Sequence, residues 1–325
     1  MTAISIQQAI ALLRKGQLVA LPTETVYGLA ARFDLPLAID ALYALKGRPK
    51  QNPLIVHIAD LTMAAFLTEG WPPATQELME QFWPGPLTLL LPAQPGKLLP
   101  SVIAGLPRVA LRMPATAETR AIIEAAGPLV MPSANLSGRP SATEPAHVEA
   151  DFGVDFPLVD LGKCPQGVES TVLAWDQLQA GWHIVRHGAL PPERLSHFLG
   201  PLFLPINPQV AIPSEGQPIC PGQLLRHYAP AARLHIARQL RELPPGSALL
   251  GWEGRAYPQE AILYSLGRGD PETTAARLYQ LLRQLDCDGV QVAWVDGRWP
   301  ASDGLWTTII DRFERAAAAS GAAAR

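Results

Sequence analysis

Between residues 201 and 230 the chain places proline at Pro201, Pro205, Pro208, Pro213, Pro218, Pro221 and Pro230. Proline fixes φ and removes a backbone donor, so no helix runs through such a stretch and no central strand pairs along it. A chain of 325 residues interrupted in this way divides into two bodies. The expected division is a first domain over residues 1–200, an extended linker over 201–230, and a second domain over 231–325 that ends in an alanine-rich tail. Apolar residues make up 48% of the chain and charged ones 17%, enough for a core on each side.

Periodicity predicts an α/β protein on both sides of the linker. Ile6, Ala9, Ile10 and Leu13 share one face of a helix from about Ser5 to Lys15, which Gly16 stops. A short strand follows at Leu18–Pro22, then a polar turn, TETVYGL. The segment PLAIDALYALKG reads as a helix with Leu37, Ile39, Leu42 and Leu45 available for burial. LIVHI (Leu54–Ile58) is the near-continuous apolar run of a central strand. Further helices are expected near 61–67, 74–83 and 117–126, with strands near 87–91, 109–113, 170–175 and 183–188. These alternate without regular βαβ spacing, which points to a mixed sheet flanked by helices. After the linker, RLHIA, ALLGW, AILYSL and VQVAWVD alternate with a long helix from about Pro271 and a last helix in GLWTTIIDRFERAAAA. That is a smaller, Rossmann-like α/β pattern.

Several functions are excluded or disfavoured. A net charge of −3 argues against broad nucleic-acid binding. Cys164, Cys220 and Cys287 are far apart and form neither a zinc knuckle nor a disulfide framework. The N-terminus lacks a basic region and a cleavage site, and no apolar stretch approaches the ~20 residues that span a bilayer. A soluble, cytoplasmic protein is expected. No phosphate-binding glycine loop, dinucleotide fingerprint, zinc-protease motif or nucleophile elbow is present.

The chemistry gathers around KGRPKQNPLIVH (Lys46–His57). Lys46 and Arg48 sit at a helix end on backbone stiffened by Pro49 and Pro53, which suits a polyanion because the charge is in place beforehand. A solvated helix terminus is the alternative. Thr23, Thr25 and Tyr27 would share one face if their segment stayed extended, either for a small polar ligand or as a sheet edge. Arg112 in an apolar strand must meet an anion: Glu24, Glu169 or a ligand carboxylate. Ser133, Asn135, Ser137, Ser141 and Thr143 form a hydroxyl-rich loop at a strand tip, able to wrap phosphates or simply to cap a turn. Arg186 adds a cation at a strand end. With no visible nucleophile–base pair, the residues alone suggest a cationic, hydroxyl-lined cleft that works by positioning and charge neutralisation, as nucleotidyl transfer can.

Taken together, PTETVYGL, K-x-R-P with NPLIVH, R-x-P, SAN-SG-P and ESTV resemble, in order, the YrdC-type domain of the threonylcarbamoyl-AMP synthases over about Gly16–Gly188. PGQLLRHYAP (Pro221–Pro230) resembles the linker of the longer, two-domain members. The resemblance implies synthesis of L-threonylcarbamoyl-AMP and pyrophosphate from L-threonine, bicarbonate and ATP, usually with Mg2+. Partner proteins would then transfer the group to tRNA, with no stable direct tRNA binding by this chain. Matching positions implied for threonine are Thr25, His57, Arg112 and Ser170, or its neighbour Thr171. Those implied for ATP are Lys46, Arg48, Asn52, Ser133, Asn135, Ser141, Thr143, Arg186 and Tyr228, with Lys46 and Arg48 carrying the catalytic charge and the linker acting as a lid. Rival readings are a carbamoyl-AMP-forming carbamoyltransferase, whose zinc-finger cysteines are missing here, and a non-catalytic RNA-binding module. The chain departs from the two-domain pattern near its end, where GLWTTIIDRFERA replaces a glycine-rich entry with an N-R pair. The second domain is accordingly read as regulatory or lid-anchoring, with no chemistry of its own.

Overall fold

Local signals start and stop the elements where the side chains dictate. Ser5 caps the helix Ile6–Arg14 through a reciprocal box with Gln8. Gly47 ends the helix Pro36–Lys46 in the left-handed conformation. Asp270 caps Pro271–Cys287 by accepting from the Thr273 amide, with proline at the first position. In this computed structural model the described residues are 3–204, 218–221, 228–239, 243–244, 246–258 and 260–319. Most of the linker (205–217 and 222–227) and residues 320–325 of the tail lie outside them.

Eight strands form one mixed sheet: β1 (Val19–Leu21), β2 (Gly28–Arg32), β3 (Ile55–His57), β4 (Leu87–Pro92), β5 (Arg108–Arg112), β6 (Leu129–Val130), β7 (Thr171–Asp176) and β8 (Gly181–Arg186). Their order is β1-β2-β6-β3-β5-β4-β7-β8, parallel at β3/β5 and β4/β7 and antiparallel elsewhere. A second sheet, wholly parallel, contains β9 (Arg233–Ala237), β10 (Ala248–Gly251), β11 (Ile262–Ser265) and β12 (Val292–Asp296) in the order β11-β10-β12-β9. The expected mixed sheet and smaller α/β unit are therefore both present.

Three local expectations are corrected. Strand β2 and the helix Pro145–Phe152 lie where only turn and loop were read. Leu37 is 84% exposed, because Ala38, Ile39 and Leu42 already fill the face of that helix turned to the sheet.

The two-residue period of the strands divides the large sheet into two faces. Val56, Leu89, Leu111 and Leu173 point into the main core, whereas Ile55, Leu90, Ala110 and Val172 point to the opposite side. His57 follows Ile55 on that second side, and Arg112 follows Ala110. The parallel register of β3 and β5 sets these two residues directly opposite each other. That second face carries the candidate site.

The two sheets share apolar contacts. Val26 and Val168 belong to the core of the small unit, beside Leu278, Ile309 and Phe313. Gly167, at φ 68°, lies so close to the backbone of Ala275 and Ala276 that a Cβ there would overlap it.

Candidate active site

A cavity opens on the second face of the large sheet. Of the residues anticipated from sequence, Arg48, His57, Arg112 and Ser133 line it, as do Ser170, Arg186 and Tyr228. Val26, Ile55, Met131, Pro132, Glu169 and Pro221 complete the wall. Lys46 stands just behind it, its Nζ donating to the carbonyls of Ser133 (2.5 Å) and Asn135. Segments distant in the chain thus converge on one hollow.

The cations divide by partner. Arg112 Nη2 donates to Glu24 Oε1 at 2.6 Å, and Ala115 N donates to the other oxygen. Of the three anions open to Arg112, Glu24 is therefore the one it meets. Lys46, Arg48 and Arg186 are buried to a similar degree, 3%, 8% and 7% exposed, yet are held differently. Arg48 donates to the carbonyls of Asn52 and Pro53. Arg186 donates to Ser170 O and Oγ and to Pro221 O. Among the described residues these three have no ion pair. Burial and then the neighbouring Arg48 charge push the Lys46 ammonium well below its ordinary value. Burial pulls Arg48 down to about 10, which still leaves it charged at neutral pH.

His57 Nδ1 lies 3.3 Å from Ile55 O. A carbonyl only accepts, so that nitrogen carries the proton and Nε2 remains an acceptor. Burial, followed by the Arg112 charge, drives the imidazole well below its usual range and keeps it neutral.

Other anticipated residues stand off the wall. Thr25 and Thr23 share a 2.8 Å hydroxyl contact in a turn, while the Tyr27 hydroxyl donates to Gly162 O. The segment is not extended, so the three hydroxyls do not form one presented face. Ser141 Oγ donates to Glu169 Oε1 at 2.6 Å, and Thr143 Oγ1 lies 3.3 Å from His147 Nδ1, so this part of the hydroxyl loop is engaged within the protein. Asn135 Nδ2 donates to the carbonyls of Leu136 and Arg139, which fixes the amide orientation. Its Oδ1 and that of Asn52 are buried acceptors without a partner among the described residues.

Sequence reasoning missed the contribution of the second sheet's helices. Tyr279 and Arg312 both donate to Glu169, which lines the cavity. The available signal was an arginine on the apolar stripe of the last helix, Leu305–Ala319, between Ile309 and Phe313. Among the described residues no group of three or more His, Cys, Asp or Glu could hold a metal ion, and no helix is long and apolar enough to cross a membrane.

Residues 11–188 match the family described as telomere recombination, and residues 192–318 match the threonylcarbamoyl-AMP synthase C-terminal domain. The threonylcarbamoyl-AMP synthase of Bacillus subtilis is 39% identical, covering 96% of this chain and 92% of its own. That of Pyrococcus abyssi is 36% identical over 96% of this chain and 93% of its own. The crystal structure of P. abyssi Sua5 complexed with L-threonine superposes with a TM-score of 0.86 at 33% identity, covering 97% of this chain and 94% of that one.

Proposed function

The chain belongs to the threonylcarbamoyl-AMP synthase family, and from that premise we propose that its cavity joins L-threonine, bicarbonate and ATP into threonylcarbamoyl-AMP with release of pyrophosphate. The observation that carries this reading is the set of three buried cations, Lys46, Arg48 and Arg186, held among the described residues by neutral oxygen atoms and by no carboxylate. Several buried charges without counter-ions are costly, and a polyanion would repay that cost on entry.

In this reaction the amine of threonine adds to the carbon of bicarbonate with loss of water. A carbamate oxygen then attacks the α-phosphorus of ATP, and the bond to the pyrophosphate oxygen breaks. Lys46, Arg48 and Arg186 would neutralise the triphosphate and the departing pyrophosphate. Arg112, anchored by Glu24, would meet the threonine carboxylate. His57 Nε2, an acceptor, suits the hydroxyl or ammonium of the amino acid. The partnerless oxygens of Asn52 and Asn135 suit hydrogen-bond donors of the nucleotide. Carbamates decompose readily in water, so enclosure beneath Pro221 and Tyr228 would protect the intermediate. Mg2+ would travel on the triphosphate, held mainly by phosphate oxygens. Thr25, Ser141 and Thr143 would act from behind the wall in the conformation described. The product would pass to proteins that modify tRNA.

Pyrophosphate release from ATP and bicarbonate, measured with and without L-threonine, tests the reading. Release should require threonine. Release that depends on carbamoyl phosphate instead, or none at all, would overturn it.

A further inference from the structure

The large-unit cavity contains one carboxylate that its proposed ligands would not welcome. Glu169 lines it, 6% exposed, immediately before Ser170, whose carbonyl and hydroxyl oxygens both accept from Arg186. ATP, pyrophosphate and a threonine carboxylate are all anions. A bare carboxylate on this wall would repel them. It would also offer Arg186, which has no ion pair among the described residues, an internal partner in place of the ligand.

Glu169 is not bare. Ser141 Oγ donates to Oε1 at 2.6 Å, and Tyr279 OH reaches both oxygens at 3.0 and 2.9 Å. Arg312 Nε donates to Oε2 at 3.1 Å. Arg312 has no exposed surface and is fixed in turn. Its Nη2 donates to His187 O at 2.7 Å, its Nη1 meets Asp311, and its guanidinium lies over the Tyr228 ring 4.6 Å from the centroid. Thr308, one turn earlier, donates to Gly188 O and ties the same helix to the same strand end. The four acceptor contacts on Glu169 therefore come partly from the large unit and partly from two helices of the small one.

Resting on the reading of the cavity given above, we propose that Arg312 is a positioning residue for ATP. It holds and neutralises Glu169, so that Arg186 stays available to the incoming phosphates. The small unit acts on the chemistry through Arg312 and Tyr279 on Glu169, which shares the cavity wall with Arg186, without touching substrate. A salt bridge that merely joins the two units would have no reason to place its carboxylate on the cavity wall beside a cation lacking an ion pair. A positioning role accounts for that placement.

The experiment compares wild type, Arg312→Met, Arg312→Lys and the double variant Arg312→Met/Glu169→Gln. It follows threonine-dependent pyrophosphate release, calorimetric binding of ATP and of inorganic pyrophosphate, and thermal unfolding. Arg312→Met should raise the KM for ATP by roughly tenfold to a hundredfold with a smaller change in kcat, as expected for an uncompensated like charge at a binding site. Neutralising Glu169 in the double variant should recover most of the lost affinity, and Arg312→Lys should sit between wild type and Arg312→Met. If Arg312→Met does not fold, Tyr279→Phe removes one donor to the same carboxylate while keeping the ring. It should raise KM modestly, again reversed by Glu169→Gln. Unchanged ATP and pyrophosphate affinity in these variants, or a double variant no better than the single, overturns the proposal. A wild type that binds both ligands but makes no pyrophosphate would instead defeat the functional reading, and calorimetry would still decide the role of Arg312.

Discussion

Two groups of buried cations, built from the same residue types, differ in what answers their charge. On the face of the large sheet, Lys46, Arg48 and Arg186 are held by carbonyl and hydroxyl oxygens. Where the two units meet, Arg283 pairs with Asp151 at 2.7 Å and Arg312 with Glu169 at 3.1 Å. The second group is complete as it stands. The first has no ion pair among the described residues, and a polyanionic ligand would supply the missing charge. Ion pairing thus completes the charges where the units meet, whereas buried cations held by neutral groups mark where an anion would be received.

The sharpest way to break this contrast is to remove a cation from each group. Lys46→Ala or Arg48→Ala should lower pyrophosphate release by at least about a hundredfold. The unliganded protein should unfold at the same temperature or higher, because a charge without a counter-ion has gone. Near-normal turnover in both variants would end the assignment. Arg283→Met should do the reverse. It takes from Asp151, whose side chain is fully buried, one of two guanidiniums and leaves Arg139 at 2.8 Å, and should cost about 2 kcal/mol in urea unfolding, with turnover of the remaining folded enzyme reduced less than tenfold. A variant as stable as wild type would show the pair to be dispensable.

The same contrast has consequences in pH. Burial pushes the Asp151 carboxyl up, but the guanidiniums of Arg283 and Arg139 outweigh it and hold the group below its ordinary value. A depressed carboxylate contributes stability above its unfolded value of about 3.9 and loses it as pH falls through the folded one. Acid-induced loss should therefore be shallower in Asp151→Asn. Lys46 is depressed without its ligand, and an arriving triphosphate would raise it. ATP binding should then take up protons over the pH range in which the free ammonium is losing its own, seen as a dependence of the calorimetric heat on buffer ionisation enthalpy. That uptake should vanish in Lys46→Met. The smallest effect is at His57, neutral when folded. Unfolding below about pH 6.5 lets it take a proton, so it removes stability as pH falls. His57→Gln should flatten that part of the stability profile slightly, and an unchanged slope would argue against its burial as a neutral ring.

Much of the architecture was legible because apolar periodicity reports which strand face meets a core. The run LIVHI revealed β3, and Arg112 within VALRM signalled a required anion. Helix Leu61–Leu67 and helix Ala117–Ala126 fall where the pattern placed them. Strand β2 escaped because GLAAR carries little β-branched or aromatic signal and adjoins a turn-like segment. The convergence on Glu169 escaped for another reason. Tyr279 and Arg312 lie more than a hundred residues downstream of it, and single-sequence periodicity shows that a face is buried without showing what it is buried against. Ser141 and Thr143 read as ligand groups because a hydroxyl's partner, internal or external, leaves no mark in local sequence.

Val26 and Val168, supplied by the large-sheet half, pack inside the other half's core with Tyr228. Cutting the chain after Pro230 would uncover these side chains and unseat Glu169 in one stroke. A truncated product that clumps or loses activity would therefore say little about regulation. The partition between halves is a boundary in sequence more than a seam in matter, and point substitutions along it are the cleaner scalpel.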